Sequence, residues 1–141
     1  MFICHTNKKV DYFNTEYIKF KNLTTKNEKG IDIIIRKNKY MLINGQNALL
    51  KEYKNKLFIY AVNSKGESII IEEDKFKDKK TKELYYQFAY SMTVYVIQGQ
   101  TIRNKKVILL LEDKEIDTLR SIYVALSRVT KMQDLILFKC E

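Results

Sequence analysis

The first candidates for chemistry lie at the end of an apolar stretch, AYSMTVYVIQGQT, which runs from Ala89 to Thr101. The first half of this stretch has the composition of a buried strand. In the second half, polar or flexible residues occupy what should be a turn, and these are Gln98, Gly99, Gln100 and Thr101. A packed core does not require such a cluster. These positions are therefore candidates for binding, and an ordinary glycine-containing turn is the alternative.

A second candidate, Arg128, lies near the end of a predicted helix. Apolar residues at helical spacing account for one face of this helix by packing, and these are Leu119, Ile122, Leu126 and Val129. Ser127 and Arg128 are not explained by that face. A cation in the last turn of a helix is favoured by about 0.3–1 kcal/mol through the helix dipole. Alternatively, the rigid guanidinium fork can bind phosphate oxygens, as an arginine finger does in nucleoside-triphosphate hydrolysis.

The charge balance is compatible with a polyanionic partner. The 141 residues include 26 Lys and Arg against 17 Asp and Glu, for a formal net charge of +9, which fits nucleic acid. Most of the basic residues are Lys spread along the chain, and the run between Lys75 and Lys82 is interpreted as a solvated loop. The four Arg residues stand out from this background, and they are Arg36, Arg103, Arg120 and Arg128.

Several classes of protein are disfavoured by composition. Cys4, Cys140 and the single His5 are too few for a disulfide framework or a structural zinc site, so no metal site is predicted and a reducing compartment is indicated. No run approaches the ~18 apolar residues of a membrane span, and the first residues lack a signal pattern. We therefore expect a soluble, intracellular protein of the cytoplasm or nucleus, or one of viral origin.

The elements that must position these candidates form two kinds of pattern. Near each terminus strands alternate with helices, and the continuous apolar run Val107 to Leu111 is typical of a parallel sheet covered by helices. From Gly30 to Gln87 the pattern changes to short β-type runs separated by turn residues. These runs are IDIIIR, YMLING, KLFIYAV, SIIIEE and ELYYQFAY. The sequence predicts an α/β layer into which a small antiparallel sheet or barrel is inserted.

Three segments together resemble a known family. FICHTNKKVDYFN, AYSMTVYVIQGQT and IYVALSRV resemble, in this order, motifs IV, V and VI of superfamily 1 DNA helicases of the RecD and Dda type. KGIDIIIRKN and LINGQNALL resemble the segment of those helicases that enters an SH3-like insertion. The resemblance implies a second RecA-like motor domain, formed by residues 1–27 and 88–141, with an SH3-like β insertion at residues 28–87.

Roles for individual residues follow from the resemblance. It implies that Arg128 contacts the γ-phosphate of ATP as the arginine finger, and that Gln98, Gly99 and Gln100 belong to the nucleotide side. A glycine there would let a ligand approach the backbone. The residues that it assigns to the single-stranded DNA (or RNA) track are Thr93, Tyr95, Thr6 and Asn7.

The chain also departs from the family pattern. Where the family has Val-His-Lys-Ser-Gln-Gly, this sequence has Val94-Tyr95-Val96-Ile97-Gln98-Gly99, so a Lys and a Ser suited to phosphate contact are replaced by apolar residues. Tyr95 could still stack on a base, for ~1–3 kcal/mol. The nucleotide side is therefore expected to be better preserved than the DNA side.

A phosphate-binding loop of the form Gly-x-x-x-x-Gly-Lys-Ser/Thr does not occur in the 141 residues. The run Leu109 to Asp113 imitates an acidic magnesium motif, but its position between motifs V and VI indicates a structural strand. We expect these residues to bind ATP and Mg²⁺ only when completed by an N-terminal RecA-like domain in the same or another chain. The alternative is a non-catalytic module that binds nucleic acid or protein.

Overall fold

The computed structural model describes residues 1–97, 102, 105–111 and 115–139. The chain divides into two compact units, one comprising Met1–Glu16 and Tyr90–Glu141 and the other comprising Tyr17–Ala89. The helices and strands, in chain order, are β1 (Phe2–Cys4), α1 (Asn7–Phe20), β2 (Ile31–Ile35), β3 (Asn47–Tyr53), β4 (Lys56–Val62), β5 (Ser68–Glu72), β6 (Tyr86–Phe88), β7 (Ser91–Thr93), β8 (Val107–Leu111), α2 (Glu115–Leu126) and β9 (Leu135–Lys139).

The first unit contains a four-stranded parallel sheet, within the described residues, in the order β7-β1-β8-β9. The central strands are apolar and largely buried, with Ile3, Val107 and Leu109 each 0% exposed, as expected for a parallel sheet. On one side Val10 of α1 packs with Cys4 and Leu110. The continuous apolar runs therefore formed the predicted parallel layer.

Helix α1 begins where the sequence indicated. The Thr6 carbonyl accepts a hydrogen bond from the Val10 N–H at 3.1 Å, and the Thr6 hydroxyl accepts one from the Lys9 N–H at 3.3 Å. Thr6 therefore acts as the N-cap and satisfies an amide that the helix itself leaves without an acceptor. This cap fixes the direction of the chain directly after β1.

The predicted packing face of α2 is wrong in part. Leu119 is 67% exposed and Leu126 is 39% exposed, whereas the residues buried beneath the helix are Ser121 and Ala125. Helical periodicity predicts that an apolar face exists, but the small residues of this helix allow a closer approach to the sheet than leucines would. The side chain at position 122 is half-buried, as the prediction required.

The second unit is a five-stranded antiparallel sheet in the order β5-β4-β3-β2-β6. Its core is built from alternate residues of the strands, such as Ile33, Ile35, Leu50 and Ile59, and is closed by Phe76, which is 0% exposed. An α/β fold with a parallel sheet and an inserted antiparallel sheet is thus confirmed.

One predicted strand of the second unit is instead a tight hairpin. YMLING was interpreted as a β-type run, but Lys39 and Leu42 form an isolated antiparallel bridge with Tyr40 and Met41 at the turn. The next strand, β3, starts only at Asn47. The apolar content of this run favoured a strand. The backbone turns instead, because Tyr40 and Met41 both have positive φ.

Candidate functional site

The carboxyl ends of two neighbouring parallel strands bring the predicted DNA-track residues to one edge of the first unit's sheet. In the register of β1 and β7, Cys4 lies opposite Thr93, and the Val94 N–H donates to the Cys4 carbonyl at 3.0 Å. Carboxyl ends of adjacent parallel strands are where α/β sheets bind ligands. The predicted residues that come at or directly after these two strand ends are Thr6, Asn7, Thr93 and Tyr95.

These residues are not equally available to a ligand. Thr93 is 6% exposed, and its hydroxyl accepts a hydrogen bond from the Val96 N–H at 3.3 Å, so its side chain closes the turn after β7. Tyr95, by contrast, is 74% exposed. Thr6 and Asn7 are also exposed, at the start of α1. Tyr95 therefore offers an accessible aromatic ring after β7, and Thr93 acts through the backbone that it holds.

The backbone of Arg128 is hydrogen-bonded to Ile102, a residue of the segment between β7 and β8. The Ile102 N–H donates to the Arg128 carbonyl at 2.7 Å, and Ile102 forms a parallel bridge with Val129. Ile102 precedes β8, which begins at Val107, and Val129 precedes β9, which begins at Leu135.

The local structure around Arg128 shows what the neighbouring residue, Ser127, does. Helix α2 ends at Leu126, so Arg128 lies in the turn that follows the helix rather than in its last turn. The Ser127 hydroxyl donates to the Val124 carbonyl at 2.7 Å, and the Arg128 N–H donates to the Ala125 carbonyl at 3.1 Å. Ser127 therefore serves to end the helix. The Arg128 side chain is half-buried.

The residues Gln98, Gly99, Gln100 and Thr101 lie outside the described residues. The described residues on either side, Ile97 and Ile102, are buried at 0% and 7% exposure. Nine positions separate Thr93, at the carboxyl end of β7, from Ile102, whose N–H donates to the Arg128 carbonyl.

A contact between His5 and Ser121 was not predicted from the sequence. The imidazole Nε2 of His5 lies 2.6 Å from the Ser121 hydroxyl oxygen, and Ser121 is 3% exposed. His5 was considered only as a zinc ligand, and its position directly after β1 was the available signal. The hydrogen bond connects the carboxyl end of β1 to α2.

Within the described part of the chain, no group of three or more His, Cys, Asp or Glu could hold a metal ion. The acidic pair Glu112 and Asp113, which imitated a magnesium motif, lies outside that part. Among the described helices, none has both the length and the apolar composition needed to cross a membrane.

Comparison with known proteins found a likeness in fold. No model of a protein family matches the sequence, and no curated protein matches it. Among solved structures, a Pif1 helicase from Bacteroides in complex with ADP-AlF3 and single-stranded DNA is similar with a TM-score of 0.65 and 17% identity, over 97% of this chain and 39% of that chain. Pif1 from Candida albicans is similar with a TM-score of 0.67 and 16% identity, over 99% of this chain and 44% of that chain. A structure described as the basis for DNA unwinding at forked double-stranded DNA by two coordinating Pif1 helicases is similar with a TM-score of 0.67 and 17% identity, over 97% of this chain and 38% of that chain.

The chain therefore shares its α/β fold, a parallel sheet with an inserted antiparallel sheet, with a part of these Pif1 structures. It spans about two fifths of the length of the Pif1 structures that it resembles. The similarity extends over nearly the whole chain and so includes both units. The finer resemblance to the RecD and Dda type stays a prediction.

Proposed function

We propose that this chain is the C-terminal motor domain of an ATP-dependent superfamily 1 helicase, which supplies the arginine finger and part of the single-stranded DNA track. The Pif1 structures with the same fold are described as bound to single-stranded DNA or to ADP-AlF3, a nucleotide complex. By this proposal the rest of the motor, including the phosphate-binding loop, belongs to an N-terminal RecA-like domain in the same or another chain.

One observation carries the proposal. The segment that begins at Thr93, beside the candidate DNA contacts, ends at Ile102 in a 2.7 Å hydrogen bond to the Arg128 carbonyl. A motor must connect the occupancy of its nucleotide site to its grip on the track, and we assign this role to the segment between Thr93 and Ile102. A shift of Arg128 on γ-phosphate loss would thereby be transmitted toward Tyr95.

On the DNA side, we assign the principal contact to Tyr95, because it is 74% exposed at a sheet edge where ligands bind. A tyrosine ring can stack on any base, which suits a track that must accept every sequence. Thr6 and Asn7, exposed at the start of α1, are assigned to the phosphate backbone, since hydroxyl and amide groups near a helix N-terminus bind phosphate oxygens.

On the nucleotide side, we assign the residues of this chain to the γ-phosphate end of ATP. The half-buried Arg128 offers a planar fork with donors suited to γ-phosphate oxygens, and Gln98, Gly99 and Gln100 are assigned to the same side. ATP supplies the phosphoryl group, and Mg²⁺ neutralises the charge that develops during its transfer. We assign no Mg²⁺ ligand to this chain.

The alternative function is a non-catalytic module that binds nucleic acid or protein. The replacement of the family's Lys and Ser by Val96 and Ile97 favours it, because neither residue can contact phosphate through its side chain. Ile97 is in fact 0% exposed. By this alternative the chain would bind without any effect of nucleotide.

The test is an ATPase assay of purified residues 1–141, alone and mixed with the product of an adjoining reading frame that encodes a phosphate-binding loop. We expect no DNA-stimulated turnover by the chain alone and stimulated turnover by the mixture. Turnover by the chain alone, reproducible after further purification, would refute the proposal that the ATP site is divided between this chain and an N-terminal domain. A mixture that forms a complex but stays inactive on single-stranded DNA would favour the non-catalytic module.

A further inference from the structure

Strand β5 forms one edge of the antiparallel sheet in the second unit. In the order β5-β4-β3-β2-β6 it has β4 on one side and, within the described residues, no strand on the other. Its five residues pair with β4 in unbroken register, from Ser68 opposite Val62 to Glu72 opposite Phe58. Alternate residues of an edge strand direct their N–H and C=O groups away from the sheet, so the outer side of β5 offers a row of hydrogen-bonding groups.

The edge at β5 lacks the features that usually keep an edge strand from pairing with another chain. Lysine, proline and β-bulges commonly serve this purpose. Residues 67–74 contain no Lys, Arg or Pro, and the pairs with β4 run without a bulge. The central residue, Ile70, is 59% exposed. β5 is therefore an edge that a further strand can extend.

The side chains in the middle of β5 are apolar on both faces of the sheet. On the core face Ile71 is 9% exposed and belongs to the core of the unit, and the half-buried Ile69 packs against that core. On the outer face Ile70 continues a cross-strand row with Tyr60 and Leu49. Because β-branched side chains favour strand pairing, both faces of β5 suit a further strand with matching residues.

The charge around β5 disfavours nucleic acid as the partner. Residues 67–74 include four acids and no cation, although the chain as a whole has a formal net charge of +9. These acids are Glu67, Glu72, Glu73 and Asp74. A polyanion would be repelled from this edge. A polypeptide strand pairs through its main chain and needs no cations, so the edge suits a protein strand.

The sequence of β5 is complementary to itself. When two copies pair as antiparallel strands about a two-fold axis at Ile70, this residue lies opposite Ile70 of the second copy. Ile69 then lies opposite Ile71 of the second copy, so isoleucine meets isoleucine on both faces of the sheet. Glu72 lies opposite Ser68 of the second copy, and no like charges within β5 are directly opposed.

Other registers of the same pairing are less favourable. Moving the two-fold axis to Ile69 places Ile71 opposite Glu67 of the second copy. Moving it to Ile71 places Ile70 opposite Glu72 of the second copy. In both cases an isoleucine loses its apolar partner to a carboxylate, so the register centred on Ile70 is preferred.

We propose that two copies of this chain associate through β5, as an antiparallel pair centred on Ile70, to form one ten-stranded sheet. The row of Leu49, Tyr60 and Ile70 then continues into the same row of the second copy. Five residues from each copy bury less than the ~1,200 Å² of a stable interface, so the association is weak, with Kd in the range of about 1 µM to 1 mM. The inference is independent of the proposed function, whose residues lie in the first unit.

Sedimentation equilibrium of the 141-residue chain at about 10 µM to 1 mM tests the association. We expect the average mass to rise from 16.8 kDa toward twice that value, and Ile70→Lys to keep it at the lower value, because lysine at an edge prevents pairing. The matched control is Val62→Lys, since Val62 is also 59% exposed but lies on β4, between β3 and β5. This control should associate as the unmodified chain does.

A mixture of two charge variants tests the register. Ile70→Lys and Ile70→Glu should each stay monomeric alone, because the axis places like charges opposite each other. Mixed in equal amounts they should form a dimer, because the opposed charges then attract. The matched mixture of Val62→Lys and Val62→Glu should associate no more strongly than either variant alone. Since Ile70 is exposed, all these variants should fold, which circular dichroism checks.

Each of three results would overturn the proposal. The first is an unmodified chain that stays monomeric up to about 1 mM, and the second is a folded Ile70→Lys variant that still associates. The third is loss of association in Val62→Lys as well, which would place the contact on the outer face of the sheet rather than at its edge. A mixture of the two Ile70 charge variants that stays monomeric would refute the register centred on Ile70.

Discussion

The imidazole Nε2 of His5 lies 2.6 Å from the hydroxyl oxygen of Ser121, although 116 positions separate the two residues in sequence. His5 directly follows β1, and Ser121 is buried beneath α2, the helix that precedes Arg128. The hydrogen bond thus joins the strand end that carries Thr6 and Asn7 to the helix that positions Arg128. Its partners come from opposite ends of the first unit's sequence.

We expect this hydrogen bond to stabilise the first unit by about 0.5–1.5 kcal/mol, the usual net value. A double-mutant cycle of His5→Ala, Ser121→Ala and the double variant, measured by urea unfolding, should give a coupling of that size. Coupling near zero would show that the two side chains are adjacent without contributing to stability as a pair.

Arg128→Ala should lower kcat by ~10³-fold or more in a reconstituted ATPase, the range for removal of an arginine finger. Arg128→Lys should lower kcat nearly as much, because an ammonium keeps the charge but lacks the planar fork of donors. The matched control is Arg120→Ala, since Arg120 is exposed on α2. Because Arg128 is half-buried, circular dichroism and thermal unfolding must first show that both variants fold. Equal activities of the two Ala variants would show that Arg128 is not the arginine finger.

The 141-residue chain should bind single strands weakly and with a shallow salt dependence, because most of its Lys residues are dispersed. At about −0.7 per neutralised phosphate on single strands, two or three contacts correspond to a slope of about −1.4 to −2. Titrations at several salt concentrations measure the slope directly. A slope of about −4 or steeper, equivalent to six or more contacts, would reveal a basic groove that the sequence does not predict.

Tyr86 should make stability depend on pH in the alkaline range. Its hydroxyl donates to Glu73 Oε1 at 3.0 Å, and burial, followed by the charge of Glu73, raises the pKa of Tyr86. Because the folded state holds the proton more tightly, this contribution is complete below the ordinary tyrosine pKa of about 10 and is lost as pH rises beyond it.

Tyr86→Phe should therefore lower the free energy of unfolding by about 1–3 kcal/mol at pH 7, and the difference from the unmodified chain should shrink above pH ~10. Urea unfolding between pH 7 and 11 measures both. Tyr53→Phe, at an exposed position, should change nothing at pH 7. A difference that persists unchanged at pH 11 would contradict a role for proton binding at Tyr86.

Two glycines of the second unit should respond differently to alanine. A Cβ at Gly30 would lie 2.6 Å from the Leu50 carbonyl oxygen and 2.7 Å from Lys51 Cγ, whereas a Cβ at Gly66 would meet nothing within 4 Å. Both have positive φ, which costs roughly 1–2 kcal/mol for a side chain. Gly30→Ala should thus destabilise the chain more than Gly66→Ala in urea unfolding. Equal losses would mean that Leu50 and Lys51 move aside at no cost.

Local periodicity determined much of the fold in advance. The continuous apolar run at Val107–Leu111 predicted a strand buried on both faces, and the short alternating runs around Ile33 and Ile59 predicted an antiparallel sheet, because each pattern matches one kind of burial. The cap at Thr6 was equally local, since a hydroxyl before a helix bonds to an amide three residues later.

Only the tertiary structure decided which faces are covered and which distant residues meet. Leu119 and Leu126 have the spacing of a packed face, yet they are exposed because the small residues Ser121 and Ala125 lie against the sheet. Spacing reports that a face exists but not what it packs against. The parallel order β7-β1-β8-β9 brings Thr93 beside Cys4 and His5 beside Ser121, contacts that no local pattern encodes because their partners are separated by most of the chain.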